Sequence, residues 1–109
     1  MCGIAGIIKF KSGICHTDVE NLNFSLKSQN HRGPDACNTF VDDVVALGHN
    51  RLSIIDLSSA ANQPFTRADL GLTIVFNGEI YNYTKIKSDL LQKGYTFLTN
   101  SDTEVILLA

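Results

Sequence analysis

Met1-Cys2-Gly3-Ile4-Ala5-Gly6-Ile7 is the stretch on which the reading of this chain turns. A cysteine directly behind an initiator methionine becomes the first residue once that methionine is removed, and its small side chain favours removal. Cys2 then carries a thiol together with a free α-amine. An α-amine has a reference pKa of about 7.7–8.0 and is partly neutral near pH 7, so nucleophile and proton acceptor can sit on one residue. Taken alone, an early cysteine is more often a small buried hydrophobe that opens a strand.

Working outward, Gly3 to Phe10 reads as a strand buried on both faces, ended by a turn at Lys11-Ser12-Gly13. Thr17 or Asp18 is expected to cap a helix running to about Gln29, with Glu20 completing a capping box. Val19, Leu22, Phe24 and Leu26 supply its apolar face. Asn30 to Asp35 is a polar loop, because Gly33 frees the backbone and Pro34 forbids helical continuation. Two strands follow, Cys37 to Val41 and Val44 to His49, joined at Asp42-Asp43, the second running on to Ile55. Asp56 to Arg67 reads as a loop, and Leu72 to Phe76 as a strand that stops at Asn77-Gly78. Asn82 caps a helix from Tyr83 to Lys93, closed by Gly94. Tyr95 to Leu98 reads as a short strand. Ser101 or Asp102 caps a last helix whose apolar residues, Val105 to Leu108, are expected to lie uncovered. The whole is one domain over residues 1–109, with the look of an interruption at its C-terminal end.

A chain of 109 residues with 44% hydrophobic and 18% charged content is that of a globular domain. A net charge of −2 without Lys/Arg blocks argues against nucleic acid and anionic membrane as partners. No stretch is long enough to span a bilayer and no signal peptide is evident, so a cytoplasmic location is expected. Three cysteines without a C-x-x-C pair do not make a disulfide framework, and His16, His31 and His49 lack metal-ligand spacing, so no metal is expected. Asn23-Phe24-Ser25 and Asn82-Tyr83-Thr84 match the glycosylation triplet by chance.

Four further places carry possible chemistry. Asn77-Gly78 is a common turn dipeptide, yet a side-chain amide beside a backbone N–H is also what a tetrahedral oxyanion needs. Arg51 is an ordinary ion-pairing residue or a planar fork for a substrate carboxylate. Asp102 is a helix cap or a receptor for an ammonium, and Glu79 a solvated charge or a second such receptor. Spacing alone does not show that these groups converge.

Six collinear motifs supply what spacing does not: the leading Met1-Cys2-Gly3-Ile4-Ala5-Gly6-Ile7, His31-Arg32-Gly33-Pro34-Asp35, Gly48 to Asp56, Asn62-Gln63-Pro64, Phe76-Asn77-Gly78-Glu79-Ile80-Tyr81-Asn82, and Ser101 to Ile106. Together they resemble the class II glutamine amidotransferase half of glutamine-hydrolysing asparagine synthetase, over the whole chain and in order. The resemblance implies an α+β fold of the N-terminal-nucleophile hydrolase type, an αββα sandwich of antiparallel sheets, here truncated. It implies that Cys2 attacks the side-chain amide of glutamine, forming a thioester and releasing ammonia. Asn77 and Gly78 match the oxyanion-hole positions. Arg51 matches the residue that holds the substrate carboxylate, with the backbone of Leu52, Ser53, Ile54 and Ile55 lining the pocket, and Glu79 and Asp102 match the ammonium-binding positions. Arg32 and Asp35 carry no assigned step. No cofactor is implied for this chain itself; the family's synthetase domain, absent here, is expected to bind ATP and Mg2+ and to join ammonia to aspartate. An amidotransferase acting on a sugar or secondary metabolite, or an inactive fragment, is the alternative.

Overall fold

The computed structural model describes residues 1–109 as an α+β domain with two antiparallel sheets. Strands β1 (Gly3–Ile8), β2 (Ala36–Val41) and β3 (Val45–Arg51) form the first sheet in the order β1-β3-β2, both pairings antiparallel. Strands β4 (Phe65–Arg67) and β5 (Leu72–Ile74) form the second. Helix α1 (His16–Ser28) packs on the first sheet, while α2 (Tyr83–Gln92) and α3 (Asp102–Leu108) pack on each other, with α3 also touching β5.

Helix α1 presents Asp18, Leu22 and Leu26, spaced four residues apart and so on one face, and all three are buried. Leu22 and Leu26 meet Ala46 of β3, flanked by Ala5, Ile7 and Ile14. Full burial of one such leucine is worth about 1.5–3 kcal/mol. Gly48 permits the close approach, since a Cβ there would fall 2.5 Å from a Leu26 methyl. Asn50 adds a polar tie by donating from Nδ2 to the Leu26 carbonyl at 2.6 Å. Helix α1 covers one face only. Along β1 the alternation therefore leaves Ile4 and Ile8 exposed while Gly3, Ala5 and Ile7 turn inward, so the expected burial of this strand on both faces does not hold.

Several boundaries differ from those read in the sequence. The N-cap of α1 is Cys15, not Thr17 or Asp18: the Asp18 carboxylate accepts from the Cys15 N–H at 2.9 Å and from its thiol at 3.1 Å. Phe24 lies off the buried stripe and is exposed. Strand β3 stops at Arg51 rather than continuing to Ile55. The expected loop from Asp56 to Arg67 contains a 3-10 turn (Ser59–Ala61) and strand β4. Asn77-Gly78 is no hairpin turn, because no strand follows it. Tyr95 to Leu98 forms no strand: the Leu98 and Thr99 N–H groups go to the Glu104 carboxylate, and the Thr96 carbonyl accepts from Arg67. Val105 and Leu108 are not uncovered either; they form a second small core with Leu90, flanked by Tyr83, Ile86 and Phe97. Helix α2 starts after Asn82 and gives way to Gly94 at φ 92°, as read in the sequence. No helix is long and apolar enough to cross a membrane.

Candidate active site

The antiparallel register pairs Gly3 with Asn50 and so brings the residue before β1 beside the end of β3. Cys2 is half-buried there. The Leu52 N–H donates to its sulfur at 3.3 Å, and the thiol lies 3.7 Å from the Leu52 carbonyl. The polar loop after α1 fixes both partners. Arg32 Nε donates to the Cys2 carbonyl at 3.2 Å, the Asp35 N–H donates to the Arg51 carbonyl at 2.9 Å, and the Ser53 N–H donates to Asp35 Oδ2 at 2.8 Å.

Arg51 ends β3 and is buried. Its Nη1 donates to the Ser58 carbonyl and to Asn62 Oδ1, each at 2.7 Å. Those contacts hold the plane of the guanidinium and leave Nε and Nη2 without a partner inside the chain, free for an anionic ligand. Asp56 ties the same loop down, accepting from Ser58 and from the Asn100 N–H, and those hydrogen bonds hold its carboxyl below its ordinary pKa.

Asn77, Gly78 and Glu79 form a short arch pinned at both ends. On one side the Phe76 N–H donates to Gln63 Oε1 at 2.6 Å, and the Phe76 carbonyl lies 3.3 Å from His49 Nε2. A carbonyl only accepts, so His49 carries its proton on Nε2. Burial pushes the imidazole pKa down, favouring this neutral form, and leaves Nδ1 without a partner. On the other side the Ile80 N–H donates to Asp102 Oδ2 at 2.9 Å. Asp102 is held by the start of α3, where Ser101 Oγ accepts from the Thr103 N–H at 3.1 Å.

These elements enclose one cavity of about 410 Å³. Of the residues singled out in the sequence, Cys2, Arg51, Leu52, Ile54, Ile55, Asn77, Gly78, Glu79 and Asp102 line it; Ser53 does not, its N–H being turned to Asp35. Sequence reasoning gave no role to Ala61, Gln63, Phe76, Tyr81 and Thr103, which also line it. Gln63 and Phe76 lie inside motifs already noted, but their contacts join residues distant in sequence and leave no local pattern. A thiol, a guanidinium, three carboxylates (Asp56, Glu79 and Asp102) and two side-chain amides (Gln63 and Asn77) around one cavity suit an amino acid zwitterion with a polar side chain. No group of three or more His, Cys, Asp or Glu side chains is arranged to hold a metal ion.

Comparison with known proteins is consistent with this chemistry. The chain is 46% identical over 112 residues to a glutamine-hydrolysing asparagine synthetase of Bacillus subtilis, covering 98% of this chain and 17% of that protein. It is 42% identical over 117 residues to Amidase chry2 of Gibberella zeae, covering 98% of this chain and 17% of that one. Against asparagine synthetase B of Escherichia coli it is 36% identical over 107 residues, 98% of this chain and 19% of the relative. The chain thus spans less than a fifth of each of these relatives. A family model described as a glutamine amidotransferase domain matches residues 1–109, and with its whole length matched this chain belongs to the glutamine amidotransferase domain family.

Proposed function

We propose that this chain is the glutaminase part of an asparagine-synthetase-type enzyme, hydrolysing glutamine to glutamate and ammonia. The reading is supported above all by one observation: residues from four separate stretches of the chain, Cys2, Arg51, Asn77 to Glu79 and Asp102, line a single cavity. Removal of Met1 turns the Cys2 amide nitrogen into an α-amine beside the thiol. The Cys2 sulfur adds to the side-chain amide carbon of glutamine, the α-amine takes the thiol proton and delivers it to the departing nitrogen, and the C–N bond breaks to leave a γ-glutamyl thioester. Water then adds to the thioester, releasing glutamate and restoring the thiol. The Asn77 amide and the Gly78 N–H serve the oxyanion, a role worth about 2.7–4 kcal/mol per donor in enzymes where it has been tested. Arg51 holds the substrate carboxylate, and Glu79 and the free oxygen of Asp102 receive its ammonium.

In this reading the domain completes the αββα sandwich of the N-terminal-nucleophile hydrolases, works in the cytoplasm, and passes ammonia to a synthetase domain that uses ATP and Mg2+ on aspartate. A second reading keeps the glutaminase and sends the ammonia to another acceptor, a sugar or secondary metabolite; the likeness to Amidase chry2 means that relatives of this chain are not all named asparagine synthetases. The test is Cys2→Ala in the full-length protein. Ammonia release from glutamine is expected to vanish while synthesis from added ammonium salt persists; retained glutamine hydrolysis would refute the assignment. Supplying ATP with aspartate, and with alternative amine acceptors, separates the two readings.

A further inference from the structure

We propose that Gln63 is a positioning residue that sets the separation between the Asn77-Gly78 arch and the start of α3; the proposal rests on the glutaminase reading above. Gln63 is buried, and its side-chain amide is used at both ends. Oε1 accepts from the Phe76 N–H at 2.6 Å and Nε2 donates to Thr103 Oγ1 at 3.1 Å. The amide orientation follows from chemistry, because the Phe76 N–H can meet only an acceptor.

Phe76 immediately precedes Asn77, and Thr103 immediately follows Asp102. One planar amide therefore joins the backbone beside the oxyanion donors to the helix that carries the ammonium receptor. The Asp102–Ile80 contact closes the same loop from its far end. With both ends pinned, the reacting carbonyl and the ammonium of one bound substrate are addressed by groups whose spacing cannot drift independently. No other side chain hydrogen-bonds to both segments. His49 holds the Phe76 carbonyl but makes no hydrogen bond to α3. A displacement of about 1 Å in such a donor can cost on the order of 10²-fold in rate.

The test compares Gln63→Leu, Gln63→Glu and Thr103→Val in the full-length protein. Ammonia release is normalised to active sites titrated with a haloketone analogue of glutamine, so that a loss of folded enzyme does not register. For Gln63→Leu, kcat per titrated site is expected to fall by about 10- to 100-fold, with KM changing far less. Gln63→Glu keeps the shape and can accept from both the Phe76 N–H and the Thr103 hydroxyl, so it is expected to recover several-fold over Gln63→Leu. Thr103→Val is expected to lower kcat as well, and to add little when combined with Gln63→Leu, because both cut one link. A kcat per site within twofold of wild type for Gln63→Leu, or full additivity of the two losses, would overturn the proposal. If Gln63→Leu does not fold, an unchanged kcat in Thr103→Val overturns it instead. Wild-type protein that releases no ammonia from glutamine would sink the glutaminase reading and this proposal together, whereas active wild type with indifferent variants sinks only this one.

Discussion

The sulfur of Cys2 accepts a hydrogen bond from the backbone N–H of Leu52 at 3.3 Å, across 50 residues of sequence. That contact distinguishes Cys2 from the other two cysteines. Cys15 and Cys37 are exposed and line no part of the cavity. Cys15→Ser and Cys37→Ser are therefore expected to keep glutamine hydrolysis within about twofold of wild type, since neither side chain reaches the cavity and serine at 15 can still donate to Asp18. Serine at position 15 is also a strong N-cap, so that variant should melt no lower than the parent. A steady-state assay beside a thermal melt checks both statements.

Arg51→Ala should act on binding and on stability together. If Arg51 holds the substrate carboxylate as proposed, loss of the guanidinium removes a contact made equally in ground and transition state, and KM for glutamine is expected to rise while kcat changes less. It also removes the hydrogen bonds to the Ser58 carbonyl and Asn62 Oδ1. Both partners can turn to water, so what is lost is the net worth of two hydrogen bonds from a charged donor, about 1.5–3 kcal/mol each at most, and Tm is expected to fall modestly as well. A collapsed kcat at unchanged KM would contradict a clamp.

Acid stability should depend on Asp18. The Lys9 ammonium at 2.9 Å, helped by the Cys15 N–H and thiol, lowers its carboxyl pKa from 3.8 to about 2. A folded-state value below the unfolded one means that the unfolded chain takes up the proton first. The contribution is present above 3.8 and is lost as pH falls toward 2. Asp18→Asn is expected to lower Tm at neutral pH and to flatten the drop in Tm across that acid window.

Gly33→Ala should disturb the site without touching it. A Cβ at Gly33 would collide with the Asn50 carbonyl oxygen and come within 2.8 Å of the Arg51 carbonyl carbon, both backbone and unable to move aside. Overpacking of this kind typically costs about 1–3 kcal/mol. The loop it shifts carries Arg32, bonded to the Cys2 carbonyl, and Asp35, bonded to the Ser53 N–H. Glutamine turnover is expected to fall by about tenfold or more together with Tm.

The starts of α2 after Asn82 and of α3 after Ser101, and the end of α2 before Gly94, were legible in the sequence because such signals are local. Of the two starting residues, only Ser101 caps through its side chain; Asn82 makes no capping hydrogen bond. The cap at Cys15 was not legible. Cysteine is a poor cap by itself, and here Asp18 supplies the acceptor. Tyr95 to Leu98 carries strand-like residues, but the neighbouring chain it meets is the side chains of Arg67 and Glu104 rather than another backbone. Strand β4 was hidden because three residues carry no periodicity, and its pairing with Leu72–Ile74 is set by the intervening turn at Gly71, φ 66°. That Cys2, Arg51, Asn77 to Glu79 and Asp102 meet at one cavity was legible only through motifs resembling a known family, and Ser53 from the same motifs does not line it. The links between them, Gln63 with Thr103 and His49 with Phe76, were not legible, since nothing local marks a contact across 40 or 27 residues.

Those long spans also bear on the order of events in folding. Cys2 to Leu52, Asp56 to Asn100 and Gln63 to Thr103 close loops of 50, 44 and 40 residues, whereas α1 and α2 need only their own segments. Short-range structure forms within about microseconds, and closure of distant contacts follows more slowly. After dilution from denaturant, helical signal should return first and titratable active sites last, so the cavity keeps time for the whole chain.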